Sequence, residues 1–409
     1  MVTSPMEPSV PRESLAALFR RFLGFGFLAW GGPVAQIAML RRELVDRERW
    51  ITSERFNRTL AVYQVLPGPE AHELCVYFGY RARGRIGGLV AGLGFMLPGL
   101  VLMLGLSWFY LNVGINSPLV LAFFAGAQAA VLALIVRAVH RIGVHAVTDR
   151  WLGVVAVLAA IAALVGVHFA AILLMAGATY FLISRRLVPL ALAVLIATGA
   201  LTAVVAVSGP GPTPITASDP DGLEPAAPGS AAPAALFGSG LKAGLLTFGG
   251  AYTAIPFIEA DAVEAGWMTS RTFLDGVALS GILPAPLIIF ATFVGFVAGG
   301  LIGALAITAG VFGPAFAFTL VGHRQLERMV EHRAFHALLD GIAAGVVGLI
   351  AATALLLVPV AVRSVFGAVI FGVALAMLYR WRSGTAVAVA VLGSGIVGLA
   401  LYLAFGATP

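Results

Sequence analysis

Leu66-Pro67-Gly68-Pro69-Glu70-Ala71-His72-Glu73 sets two prolines, a glycine and three ionisable side chains inside an otherwise apolar stretch. A helix cannot run through Pro67 and Pro69 undisturbed, because proline lacks the backbone N–H and restricts the residue before it. A new helix can begin at Pro69, since proline suits the first helical position. The N–H groups at such a start are unpaired and carry partial positive charge, so they attract anions. The same punctuation recurs at Gly31-Gly32-Pro33, at Gly249-Gly250-Ala251 and at Pro284-Ala285-Pro286. Four helix starts, after Pro33, Pro69, Ala251 and Pro286, would then face one another and suit a small oxyanion. The plainer reading is that glycine and proline only permit kinks and close helix packing, as in the pairs Gly84/Gly88 and Gly295/Gly299.

The polar side chains around these breaks have two readings each. A carboxylate deep in a membrane is costly and usually functional, so Glu70 could take a proton as the anion binds; equally, an acid in the first turn complements the helix dipole. Glu73 is read as structural. His72 could hold a proton or donate to the anion, or be a packed core histidine. Gln36, one turn after Pro33, could donate its amide to substrate. Lys242, the sole lysine, either faces the pathway as the compensating cation or snorkels to the surface. Arg41, Arg42, Arg47 and Arg49 either gather anions or only mark topology. His140, His145, His323 and His332 lack metal-ligand spacing, and no metal or cofactor is expected. No nucleophile or dinucleotide motif stands up, so the chain does not read as an enzyme.

The elements that must position these residues are membrane helices. Of 409 residues 60% are hydrophobic and 11% charged, whereas a soluble domain carries about 25% charged. Ile86–Leu111, Gly341–Val362 and Gly384–Gly406 are long runs without charge. Their continuous, non-alternating hydrophobicity excludes a β-barrel. The net charge of +6 comes almost wholly from arginine in short loops, which sets orientation rather than binding nucleic acid. The single cysteine, Cys75, excludes an internal disulfide. No cleavable signal peptide is read in Met1–Ser14.

The chain repeats itself. Gly31-Gly32 matches Gly249-Gly250 at an offset of 218. Trp50 matches Trp267, Phe56 matches Phe273, and Pro67-Gly68-Pro69 matches Pro284-Ala285-Pro286, at 217. Gly79, Gly84, Gly87 and Pro98 match Gly295, Gly300, Gly303 and Pro314 at 216. The division is therefore residues 1–207, a proline-rich linker 208–235 without Lys or Arg, and residues 236–409.

Charge gives the topology. Arg20-Arg21, the cluster Arg41–Arg58 and Arg81–Arg85 all read as cytoplasmic, yet the apolar runs between them are split by Gly-Gly-Pro and Pro-Gly-Pro. Two re-entrant hairpins, turning near mid-membrane, reconcile these facts. Five crossings follow: Ile86–Leu111, Leu119–Val136, Trp151–Val167, Ala170–Ile183 and Leu187–Val207, with Arg137–Arg150 a cytoplasmic loop. The second repeat then starts from the opposite side, and its crossings are Leu301–Val321, Ala337–Pro359, Val365–Tyr379 and Ala386–Phe405. The expected fold is an all-α polytopic membrane protein of two inverted-topology repeats with re-entrant, broken helices and about nine full crossings, as in secondary transporters. A bundle of 10–13 plain transmembrane helices, counting hairpin arms as spans, is the alternative (spans of roughly 17–25 residues). The N-terminus is expected in the cytoplasm and the C-terminus in the periplasm.

At Trp30-Gly31-Gly32-Pro33-Val34-Ala35-Gln36-Ile37-Ala38-Met39, Glu43-Leu44-Val45, Arg49-Trp50-Ile51, Leu66–Ala71, Thr247–Tyr252 and Phe293–Phe296 the chain resembles the chromate ion transporter family in its long, two-domain form. The resemblance implies efflux of chromate across the bacterial inner membrane, with sulfate as the chemically similar anion. It also implies that Trp30–Pro33 and Pro67–Pro69 matter to transport. Trp30 stands where the family usually has phenylalanine, and Leu283-Pro284-Ala285-Pro286 stands for a Thr-Pro-Gly-Pro-like turn. The expected partners are a small inorganic oxyanion and the lipid bilayer, with no nucleic acid; a homodimer is allowed but not specified. The competing functions are a carrier of a different ion, such as a cation held by Glu70, and a membrane-embedded sensor or enzyme.

Overall fold

The computed structural model describes residues 10–114, 117–208, 229–248, 250–322, 333–381 and 383–406. Gly249, most of the linker, the segment from His323 to His332, and Arg382 lie outside the described residues. Every regular element described is helical. Among the described residues five helices are long and apolar enough to cross a membrane: Glu70–Gly114, Pro118–Ala146, Leu287–Val321, His336–Ala361 and Ala386–Phe405. Four shorter apolar helices, Arg150–Leu164, Phe169–Ser184, Val188–Val204 and Val365–Arg380, occupy the remaining stretches read as crossings. The protein is an all-α polytopic membrane protein.

The first repeat comprises α1 (Leu15–Phe27), α2 (Gly32–Leu40), a wide helical turn (Arg41–Arg47), α3 (Ser53–Val65), α4 (Glu70–Phe109), α5 (Pro118–Ala146), α6 (Arg150–Leu164) and α7 (Phe169–Ser184). Helix α8 (Val188–Ser208) leads to the linker. The second repeat comprises α9 (Pro233–Leu246), α10 (Ile255–Glu264), α11 (Ser270–Gly281), α12 (Phe290–Val321), α13 (Arg333–Ala361), α14 (Val365–Arg380) and α15 (Ala386–Phe405).

Helices α4 and α12 are each folded back on themselves. In α4 the backbone leaves helical geometry at Arg83 (φ −145°, ψ 27°) and Gly84 (φ 62°, ψ −154°). In α12 it does so at the repeat mates, Gly299 (φ −138°, ψ 18°) and Gly300 (φ 61°, ψ −155°). Past the turn the chain reverses: Gly79 lies against Gly87 and Ala91, and Gly295 against Gly303. The Thr292 and Thr308 hydroxyls meet at 2.7 Å across the second hairpin. Small residues are needed on these facing surfaces because the backbones nearly touch. The packed pairs are thus Gly79/Gly87 and Gly295/Gly303, while Gly84 and Gly300 supply the left-handed turn that other residues adopt at a cost.

The three arginine clusters meet at one end. Arg83 donates to the Glu13 carbonyl (2.6 Å) at the start of α1. Arg21 pairs with Glu13 and, at 2.6 Å, with Glu48, whose other oxygen accepts from Trp50 Nε1 (2.8 Å). So α1 leaves this end and α2 returns to it, and α3 leaves it and the first arm of α4 (70–82) returns. Both pairs thus return to the end they leave, as the charge pattern requires. The second arms of α4 (85–109) and α12 (301–321) pack antiparallel, Gly88 against Leu320 and Gly92 against Phe316. The repeats are therefore inverted relative to each other. They also exchange partners: α5 packs on α14 and α15, while α13 packs on α6 and α7.

One boundary differs from expectation. The segment Arg137–Arg150 is not a loop: α5 continues to Ala146, and only three residues join it to α6, whose first N–H groups are capped by Asp149 (2.8 and 2.9 Å). The helix continues because nothing in Arg137–Ala146 breaks it; there is no proline, and one glycine is tolerated.

Candidate functional site

Four turns converge. The first is Leu28–Gly31, where Gly31 (φ 88°) and Gly32 (φ 77°) are left-handed and Pro33 opens α2. A Cβ on Gly31 would fall 2.2 Å from the Gly384 Cα, so the turn lies directly against the loop between α14 and α15. The second is Leu66–Pro69, from which α4 starts. Its Gly68 N–H donates to the Thr247 carbonyl (2.8 Å), tying it to the third turn, Thr247–Gly250. Gly250 (φ 118°) in turn approaches the ring of Pro33, 3.6 Å from where its Cβ would stand. The fourth, Leu283–Pro286, receives the Gln36 amide: Nε2 donates to Ala29 O (2.9 Å) and Ala285 O (3.1 Å). Gln36 thus staples the first turn to the fourth, and its buried Oε1 has no hydrogen-bond partner among the described residues. Ala285 replaces a glycine without strain, because its φ is not positive, unlike that of its mate Gly68 (φ 151°). Pro284 and Pro286 are buried beside it.

The ionisable residues of the second turn part company. Glu70, 6% exposed, faces a cavity. Glu73 is fully buried, and its carboxylate covers the space where a Gly68 side chain would be, with neither oxygen hydrogen-bonded among the described residues. His72 is fully buried between Phe312 and Phe316 of α12, ring centroids 4.9 and 4.8 Å away, in the setting of a packed core histidine. Lys242 is drawn elsewhere: it pairs with Asp261 and lies 4.6 Å over the Phe169 ring.

The cavity measures about 400 Å³ and is walled by both repeats. Pro33 and Val34 come from the start of α2, Gln64 from α3, Glu70 from α4, Phe248 and Gly250 from the third turn, and Tyr252 from the short helical turn Ala251–Ala254 that follows it. Arg141 and His145 come from the end of α5, and Leu339, Asp340 and Ala343 from the start of α13. Arg141 is close enough to Glu70 to act on it electrostatically, and no ion pair holds its guanidinium among the described residues. Pro33, Glu70 and Gly250 are thus brought to the cavity; Gly31, Gly32, Gln36, Pro67, Gly68, Pro69, Pro284 and Pro286 build the junction around it; His72 and Lys242 stand apart; Gly249 is outside the described residues. Sequence reasoning missed Arg141, His145 and Asp340. The signal was the spacing Arg137, Arg141, His145, which places two arginines and a histidine on one helix face.

This architecture, inverted repeats whose broken helices meet beside a cavity, defines a polytopic membrane protein of the transporter class. The family model for chromate transporters matches residues 16–183 and again residues 234–399, once per repeat. The chain belongs to the chromate transporter family. A chromate transport protein of Pseudomonas aeruginosa is 56% identical over 96% of this chain and 94% of its own length. One of Cupriavidus metallidurans is 28% identical over 96% and 95%. An uncharacterized transporter of Methanocaldococcus jannaschii is 28% identical over 93% and 95%. No solved structure matches the chain.

Proposed function

We propose that this protein is a secondary transporter that exports chromate, or a similar oxyanion such as sulfate, across the bacterial inner membrane, with proton movement coupled through Glu70. The observation that carries this reading is the cavity at the meeting point of the turns, with Arg141 and Glu70 in its wall. Helix α2 and helix α4 start beside it, which favours an anion there. Arg141 supplies a full positive charge. An ionised Glu70 opposes a dianion: like charges about 4 Å apart repel by about 4 kcal/mol at an effective dielectric near 20. Anion binding and proton uptake by Glu70 therefore support each other. The turn residues Gly31, Gly32, Pro33, Pro67, Gly68, Pro69, Gly249, Gly250, Pro284 and Pro286 shape the site, and Gln36 holds the turns together. On this reading residues 1–207 and 236–409 are the two functional repeats, the linker 208–235 and the C-terminus are periplasmic, and the N-terminus is cytoplasmic.

Chromate uptake into inverted membrane vesicles, with and without a proton gradient, tests it. Wild type is expected to take up chromate with gradient dependence, and Glu70→Gln to lose that dependence. Absence of chromate and sulfate flux in wild type overturns the substrate; unchanged gradient dependence in Glu70→Gln overturns the coupling. A second reading, a cation carrier, draws on the two carboxylates Glu70 and Asp340 in the same cavity; cation flux without anion flux in these vesicles would establish it.

A further inference from the structure

The two repeats are related by sequence but differ in how their third helices are packed. In the second repeat α11 is buried without interruption from Phe273 to Gly281 and lies on α5. Its mate α3 packs mainly on α4 and the wide turn before it. Glu54, Asn57, Arg58, Ala61 and Gln64, which share one face of α3, are exposed. At the repeat offset of 217 these are the mates of Arg271, Leu274, Asp275, Ala278 and Gly281. That face of α11 is the one that docks: Asp275 accepts hydrogen bonds from Gln128 of α5 (2.7 Å) and from Tyr110 (2.7 Å), and a Cβ on Gly281 would lie 3.4 Å from Val391.

The seat on which α11 rests also has a mate. Helices α5 and α13 are both 29 residues long and align at an offset of 215, pairing Gly126 with Gly341, Val131 with Val346, Leu134 with Leu349 and Ile135 with Ile350. The structure supports the register: Gly126 packs on Gly398 of α15, and Gly341 on Gly177 of α7. At this offset Phe124, Ala125 and Gln128 correspond to Leu339, Asp340 and Ala343. Those three residues line the cavity. The unfilled seat on α13 and the undocked face of α3 therefore border the same space, with Gln64 of α3 already at its wall.

We infer that Arg58 and Asp340 are gating residues: in the alternate state α3 docks on α13 and Arg58 pairs with Asp340, while α11 leaves α5 and the Asp275–Gln128–Tyr110 contact opens. The charges suit this exchange. Among the described residues Arg58 has only Glu54 as an ion-pair partner, at 3.6 Å, with side chains 77% and 86% exposed, so little there holds it in place. Asp340 is exposed at the cavity, whose wall also holds Arg141, His145 and Glu70, with His336 on its own helix and Asp149 before α6 as further ionisable neighbours. Asp340 stands one turn before Ala343, the mate of Gln128, and the long Arg58 side chain spans that turn where Asp275 is met by a nearer amide. Inverted repeats that hold two different conformations exchange them when the molecule turns over, which is how one site is exposed to either side in succession. What the gate passes rests on the transporter reading above; the motion does not.

The test uses the full-length chain in inverted vesicles with Cys75→Ala. The pair Arg58→Cys/Asp340→Cys is expected to cross-link on oxidation, to stop chromate uptake, and to release it on reduction. A second pair, Gly281→Cys/Val391→Cys, locks the docked α11; once it is closed the first cross-link is expected to fail. Both cross-links in one molecule, or no 58–340 link in a protein that forms the 281–391 link, would overturn the gate. Arg58→Asp is expected to lower flux at least about tenfold, because Asp340 then closes against a like charge, and Arg58→Asp/Asp340→Arg to recover to within about threefold of wild type. Wild-type flux in Arg58→Asp overturns it; for any charge variant that does not insert, the cross-links decide. Mutually exclusive cross-links in a protein that moves no oxyanion would uphold the gate and remove the chromate reading.

Discussion

Gly31 and Gly32 share a left-handed backbone but not a neighbourhood. A methyl on Gly32 meets nothing within 4 Å, whereas one on Gly31 would lie 2.2 Å from the backbone of Gly384. Gly32→Ala therefore carries only the left-handed penalty, roughly 1–2 kcal/mol. Gly31→Ala carries that and must also push the α14–α15 loop away. Thermal unfolding of the purified protein is expected to show the larger loss for Gly31→Ala, with flux abolished; equal shifts would contradict the packing. Gly-Gly-Pro announced a break in the helix, but which glycine is indispensable was not legible, because the residue that decides it belongs to the other repeat. Gln36 is similar. Its type marked it as polar and useful, and only the fold directs its amide to Ala29 and Ala285.

Helix α5 carries the lesson at the scale of the element. Its apolar part was plain in the sequence, but its last three turns, with Arg137, Arg141 and His145, had the composition of a loop. Composition at a helix end reports solvent, and a helix that ends in a wet cavity has the same composition as one that ends outside. Because α5 continues, Arg141 reaches the cavity wall. Arg141→Gln is expected to raise the KM for chromate about tenfold with a smaller change in maximal rate, the signature of lost ground-state binding. Arg141→Lys should fall between, keeping charge but losing the planar fork. Saturation kinetics in vesicles measure both, and an unchanged KM in Arg141→Gln would remove Arg141 from the path.

At the scale of the whole molecule the arginine-rich end and its counterpart lie at opposite ends. Repeat one gathers Glu13, Arg21, Glu48 and Arg83 at its base; at the base of repeat two Ala231 donates to the Ala298 carbonyl (2.9 Å). In a Cys75→Ala chain, Arg47→Cys is expected to react with an impermeant thiol reagent only from the cytoplasmic side, and Ala265→Cys only from the periplasmic side. Both positions are exposed, so labelling from one common side would refute the inversion. The antiparallel contact of α4 with α12 makes the inversion a packing requirement as well as a charge pattern, since Gly88 and Gly92 are small where Leu320 and Phe316 pass.

The membrane class and the four breaks were legible in the residues alone. These depend on local physics: proline and glycine stop helices, and long apolar runs need lipid. Tertiary structure alone decided which polar residues share a space. Glu70 and His72 are two residues apart, yet one faces a cavity and the other is enclosed by Phe312 and Phe316. Arg141 and Asp340 are distant in the chain and meet at that cavity. The same cause lies behind the asymmetry of α3 and α11. Matching sequences set equivalent helices, but α11 docks on α5 while the matching face of α3 stays exposed, a difference that only packing decides.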